Sequence, residues 1–187
     1  MNRLAKVILC GVALAGVAAF AGDPENMVDN PLYKHWAQFK PGSYAKLKLV
    51  TEVVSNTTET LVTYTHKELT ADLAVVEERT LVTVEGENVE RKPVRKKYPA
   101  KITVQQAEKQ DPPGDGQEGE EEIEVLGRKF KARWVETEIR RPQQVSSIKA
   151  WTSEEVPGQT LKLINRTSHP MEMKSESELV EFKADRN

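Results

Sequence analysis

Three histidines, several runs of adjacent acids and a few serines are the residues of this chain whose types can do chemistry. His35, His66 and His169 stand apart from one another, and none has a second histidine or a cysteine at metal-ligand spacing. Each reads as a satisfied or solvent-exposed imidazole. Glu77-Glu78, Glu120-Glu121-Glu122 and Glu154-Glu155 are adjacent acids. General acid–base work needs one carboxyl whose pKa burial has raised, and the polar neighbours of these acids point instead to solvated surface. The acidic segment lacks the ligand spacing of a calcium loop. Ser43 and Ser153 have no histidine placed by any motif, and no G-x-S-x-G elbow occurs. Gly114, Gly116 and Gly119 lie in an acidic run that would repel phosphate. Asn56-Thr57-Thr58 and Asn165-Arg166-Thr167 match the glycosylation sequon but read as turn residues. The residues therefore predict a non-enzymatic protein with no cofactor and no metal.

The start of the chain has the three-part pattern of a secretory signal peptide. Arg3 and Lys6 are followed by an uncharged run from Val7 to Phe20, and Ala19-Phe20-Ala21 supplies small residues for cleavage after Ala21. A membrane span needs about 20 apolar residues, more than this run offers. Cys10 sits too early in the run, behind bulky Val7, Ile8 and Leu9, for a lipobox. Processing would leave 22–187, the length of one domain. That chain holds no cysteine, which rules out thiol catalysis and Cys-ligated metal. A cysteine-free exported domain fits a bacterial periplasm or cell surface.

The formal net charge of −2 gives no global case for nucleic acid. The signs are segregated, however. Arg91, Lys92, Arg95, Lys96, Lys97 and Lys101 form a basic stretch, and Glu108 to Glu122 holds seven acids against one lysine. A solvated strand face beside a polar loop accounts for this pattern. A surface for an anionic partner is the alternative.

The elements follow from periodicity. Residues 22–42 read as an irregular lead-in. Within it, Tyr33, Trp36 and Phe39, three apart, predict a short helix over 32–38 whose aromatic side plugs one end of a sheet. From Ser43 the period changes to two: Ala45, Leu47, Leu49, Thr51 and Val53 alternate with Tyr44, Lys46, Lys48, Val50 and Glu52. Thr57 to Glu68 and Asp72 to Glu85 are β-rich. Glu85-Gly86-Glu87-Asn88 reads as a hairpin turn. Pro93 and Pro99 mean that the strand Val89 to Val104 lies at a sheet edge or is interrupted. The segment 107–121 is polar and Pro/Gly-rich and reads as a disordered loop. Strands then resume at Glu122. Over Lys129 to Arg140 the apolar set switches parity, from Phe130, Ala132 and Trp134 to Val135, Thr137 and Ile139, which means a bulge or burial on both faces. Gln143 to Ser153 and Gln159 to Thr167 are further strands, separated by a type II turn at Pro157-Gly158. Met171 to Lys183 reads as a last strand or a short helix.

The fold expected is mainly β: a single antiparallel curved sheet or half-barrel over 43–187, with a short N-terminal helix. Two segments carry a resemblance. Trp36-Ala37-Gln38-Phe39-Lys40-Pro41-Gly42-Ser43-Tyr44 and Trp151-Thr152-Ser153-Glu154-Glu155-Val156-Pro157-Gly158-Gln159-Thr160-Leu161-Lys162 together resemble a class of uncharacterised exported bacterial proteins. The second also resembles carriers of the LolA type. That resemblance implies an antiparallel half-barrel, closed by helices, that binds lipid or lipoprotein acyl chains in an apolar cavity. A curved sheet with one apolar face must cover that face. Trp36, Phe39, Phe130, Trp134 and Trp151 are the candidate lining of an apolar ligand site, or else the core. The functional expectation is an exported binding protein for a lipid or other apolar ligand. The alternative is a structural or protein-interaction module of the cell envelope.

Overall fold

The computed structural model describes residues 26–54, 56–84, 86–108, 116–141, 144–168 and 171–187. The signal segment 1–21, His169 and residues 109–115 of the acidic loop lie outside the described residues. The protein is mainly β, as its two-residue periodicity implies. In chain order the elements are β1 (Met27–Asp29), α1 (Pro31–Trp36), β2 (Tyr44–Val53), β3 (Asn56–Leu69), β4 (Leu73–Val84), β5 (Glu87–Glu90), β6 (Val94–Pro99), β7 (Lys101–Thr103), α2 (Val104–Glu108), β8 (Gln117–Val125), β9 (Arg128–Arg141), β10 (Gln144–Thr152), β11 (Thr160–Thr167) and β12 (Met173–Lys183).

Ten strands form one antiparallel sheet in the order β5-β4-β3-β2-β12-β11-β10-β9-β8, with β6 pairing with β4 beside β5. The order is two hairpin meanders, β2 to β6 and β8 to β12. They are joined side by side where β12 pairs with β2, from Met173↔Val53 to Lys183↔Tyr44. The sheet is open, with β8 at one end and β5 and β6 at the other. It is nonetheless strongly curved. The rings of Phe130 on β9 and Phe182 on β12 lie 6.0 Å apart although β10 and β11 stand between them in the order. β1 and β7 make a separate two-stranded ladder.

The helix forms where the lead-in offers a cap. Asn30 Oδ1 accepts the Leu32 N–H at 3.0 Å, and Pro31, with no N–H to satisfy, fills the first helical position. Beyond α1, Pro41-Gly42 and Pro157-Gly158 each occupy the two central positions of a turn. Ser43 N–H donates to Lys40 O at 3.1 Å and Gln159 N–H to Val156 O at 2.9 Å, with φ +97 at Gly42 and +79 at Gly158. Glycine reaches that region without the Cβ clash other residues meet.

Several sequence expectations are refined. Residues 117–121, read as loop, are the first half of β8 and pair with β9 from Gln117↔Glu136 onward. Val104 begins the short α2 rather than ending a strand. Met173–Lys183 is a strand and not a helix. β9 keeps unbroken register with both β8 and β10, so the parity switch is not a bulge. The strand buries Phe130 and Ala132 on one face in its first half and Thr137 on the other face in its second.

At the β2–β3 hairpin, Val53 pairs with Asn56, so a two-residue turn begins at Val54. Val54 has φ 55 and is 82% exposed. A β-branched residue there crowds its own carbonyl and gains no burial in return. Val54→Asn is expected to raise the unfolding free energy by about 1 kcal/mol, measured by urea denaturation. An unchanged or lowered value would mean that valine is not strained at this turn.

Candidate functional site

The five aromatic residues singled out in the sequence fall in three places. Trp36 and Phe39 are buried at the helical end of the sheet. The His35 ring meets Phe39 edge-on at 5.2 Å, and Trp36 lies 5.6 Å from the His66 ring. A Cβ on Gly158 would stand 3.5 Å from the Trp36 ring, so the Pro157-Gly158 turn lies beside this group. Phe130 is 1% exposed and belongs to the main core with Ala45, Leu47, Val125, Leu161 and Leu179. Trp36, Phe39 and Phe130 are thus all buried.

Trp134 and Trp151 are the one pair the fold brings together. They are direct cross-strand partners on β9 and β10, on the same face of the sheet. Both are half-buried. Lys149 Nζ caps them at 4.4 Å and 5.1 Å from the ring centroids. The Trp151 indole N–H donates to the Glu121 carboxylate on β8. A Cβ on Gly119 would stand 2.9 Å from the Trp134 ring, so glycine lets that ring lie against the edge strand. This arrangement ties β8 to the sheet through an aromatic cover.

The face opposite the main core carries ionic ladders. Lys48 pairs with Glu59 at 2.8 Å, Lys162 with Glu176 at 2.6 Å, and Lys46 with Glu181, which also accepts from the Tyr44 hydroxyl. Such exposed pairs contribute about 0–1 kcal/mol each, so their role is mainly solubility and register. Two shallow grooves open to this surface. One, of about 390 Å³, is bordered by Lys48, Val50, Glu52, Lys174, Glu176 and Glu178. The other, of about 430 Å³, lies beside Val54, Glu138, Val145, Arg166, Met173 and Lys174. None of the five aromatics borders either groove.

The sheet face that bears Leu47 and Leu179 turns polar farther along its strands. Pairing places Thr137, Ile148, Asn165, Ser175 and Thr51 in one cross-strand row. Ser146 and Thr167 share a hydrogen bond of 3.0 Å, and Thr51 and Ser175 one of 3.2 Å. The Thr137 hydroxyl and the Asn165 carbonyl oxygen are buried without a protein partner. Hydroxyl rows of this kind suit water far better than an acyl chain.

The titratable residues are structural in geometry. His35 Nε2 lies 3.0 Å from Val156 O, and burial lowers its pKa to about 4, so the ring is neutral. His66 Nε2 lies 3.1 Å from Glu68 O, and burial likewise lowers its pKa. Glu77 is buried among Arg79 at 3.0 Å, Lys67 at 3.8 Å and Arg95 at 3.9 Å. The Arg79 hydrogen bond holds it below the usual carboxylate range, the opposite of a general acid. Glu155 pairs with Arg128 at 2.7 Å on the surface. The Ser43 hydroxyl donates to Asp185 O and that of Ser153 accepts the Glu155 N–H, and neither meets an imidazole. Among the described residues no group of three metal-ligating side chains gathers, and no helix is long and apolar enough to cross a membrane.

The sheet's two ends differ in charge. β8 carries Glu118, Glu120, Glu121, Glu122 and Glu124 with no cation, and β6 carries Arg95, Lys96 and Lys97 just after Arg91 and Lys92. Both strands are largely exposed, and each has a ladder partner on one side only. Comparison with protein-family models gives no match, and comparison with curated proteins gives none either.

Proposed function

We propose that this chain is an exported, non-enzymatic protein-interaction module of the bacterial cell envelope. One observation carries the reading. Trp36, Phe39 and Phe130 are buried, while among the described residues the sheet ends in two exposed, charged strands with a ladder partner on one side only. Unpaired strand edges are templates for adding another chain. Export rests on the signal pattern from Arg3 to Ala21. A carrier of lipid would need apolar walls around a void. Here Trp36, Phe39 and Phe130 are already buried, and the sheet face that bears Leu47 and Leu179 carries hydroxyls farther along its strands.

The reading is tested by photocrosslinking in intact cells. A photoreactive residue at Glu120 or Lys97 is expected to give discrete protein adducts in the envelope fraction. The same residue at Lys48, on the ionic ladder, is expected to give none. Lipid adducts alone, or no protein adduct from either edge, would overturn it.

A further inference from the structure

The basic and acidic stretches are close in sequence, yet the fold separates them. β6 and β8 lie at opposite ends of the strand order, with β4, β3, β2, β12, β11, β10 and β9 between them. No ion pair joins the two stretches among the described residues. Arg95 and Lys96 pair back to Glu77 and Glu78 on β4. Glu118 and Glu122 pair with Arg133 and Lys129 on β9. Arg91, Lys92 and Lys97 on one edge, and Glu120 and Glu124 on the other, form no ion pair among the described residues. β8 thus has a net negative charge and β6, with Arg91 and Lys92, a net positive one.

Charged edge strands normally prevent edge-to-edge pairing. A uniform sign does so only against a like edge: acidic β8 repels a second β8, and basic β6 repels a second β6. The unlike combination is attractive, and between Pro93 and Pro99 β6 keeps five residues with backbone N–H groups. We propose that β8 of one molecule pairs with β6 of a second copy of this chain, head to tail. This inference rests on the interaction-module reading and names its partner. A contact between two different patches is heterologous, so it propagates into rings or filaments rather than closing as a two-fold dimer. Attraction across it weakens as salt shortens the Debye length from roughly 30 Å at about 10 mM to roughly 3 Å at about 1 M.

Sedimentation velocity on the processed chain tests this. At about 10 mM salt, where the Debye length is roughly 30 Å, the average mass is expected to rise with protein concentration beyond twice that of the monomer. At about 1 M salt only monomer is expected. Two variants decide the geometry: R91E/K92E/K97E, which leaves both edges net acidic, and E120K/E121K/E124K, which leaves both net basic. All six positions are exposed and outside ion pairs, and Glu121 gives up only the Trp151 indole hydrogen bond, so folding should survive, and circular dichroism checks it. Each variant alone is expected to stay monomeric at low salt. Their equimolar mixture is expected to assemble again, because each now offers the other an unlike edge. A monomeric wild type at low salt, or assembly unaffected by both reversals, would overturn the proposal. Edge crosslinks to a different envelope protein, with a monomeric wild type, would sink self-pairing while leaving the interaction module standing.

Discussion

Phe130→Ala is expected to lower the unfolding free energy by about 3–5 kcal/mol, the range for removing a buried aromatic ring. Phe130 is 1% exposed and touches Phe182 across the curvature of the sheet. It also lies under the Arg128 guanidinium, at 4.3 Å from the ring centroid. The cavity left behind would be bounded by Ala45, Leu47, Leu161 and Leu179, which are spread over three strands and cannot all collapse inward. Urea denaturation measures the loss. Trp134→Ala is the control: that ring is half-buried on the surface under Lys149, so its removal should cost clearly less. A small loss at Phe130, comparable with that at Trp134, would mean that Phe130 borders an open space and not a filled core.

The second large effect is on pH dependence. His35 is 2% exposed, and burial lowers its pKa from 6.5 to about 4. Its neighbours are Trp36 and Phe39, the Val156 carbonyl at 3.0 Å, and the positive charge of Arg186, which also disfavours protonation. The folded state thus binds fewer protons than the unfolded chain between these two values. Stability must rise with pH in that window. Equivalently, it falls as pH drops from 6.5 towards about 4, and His35 adds no further loss below that. The size is on the order of 3 kcal/mol. His66, whose pKa burial also lowers, adds to the loss in the same direction. His35→Gln keeps a donor for the Val156 carbonyl but cannot titrate, so it should flatten much of the slope. A wild-type slope matched by that variant would place the pH response in other groups.

Much of the fold was legible because its rule is local. Alternation marked β2, and the three-residue spacing of Tyr33, Trp36 and Phe39 marked α1 and the turn after it. Pro157-Gly158 announced its turn because only glycine takes φ +79 at no cost. What stayed hidden is non-local. The pairing of β2 with β12 joins residues more than a hundred positions apart, and no local pattern encodes it. The first half of β8 resembled a loop because an edge strand facing water needs no apolar side chain, and its glycine answers to Trp134 across the ladder. At β9 the sequence left a choice between a bulge and burial on both faces, and only the register decides it. The candidate aromatic residues could be named from the sequence, yet their parity could not show that Trp134 and Trp151 pair across a ladder. Charge segregation was visible in the sequence, whereas its placement at opposite ends of the strand order was not.

Native mass spectrometry of the processed protein, purified gently from the cell envelope, is the most direct check on a filled interior with recognition at its charged edges. The bare polypeptide mass, with oligomers of it at low salt, is expected. A stoichiometric acyl-chain adduct that persists through purification would show an apolar void inside the sheet and contradict it.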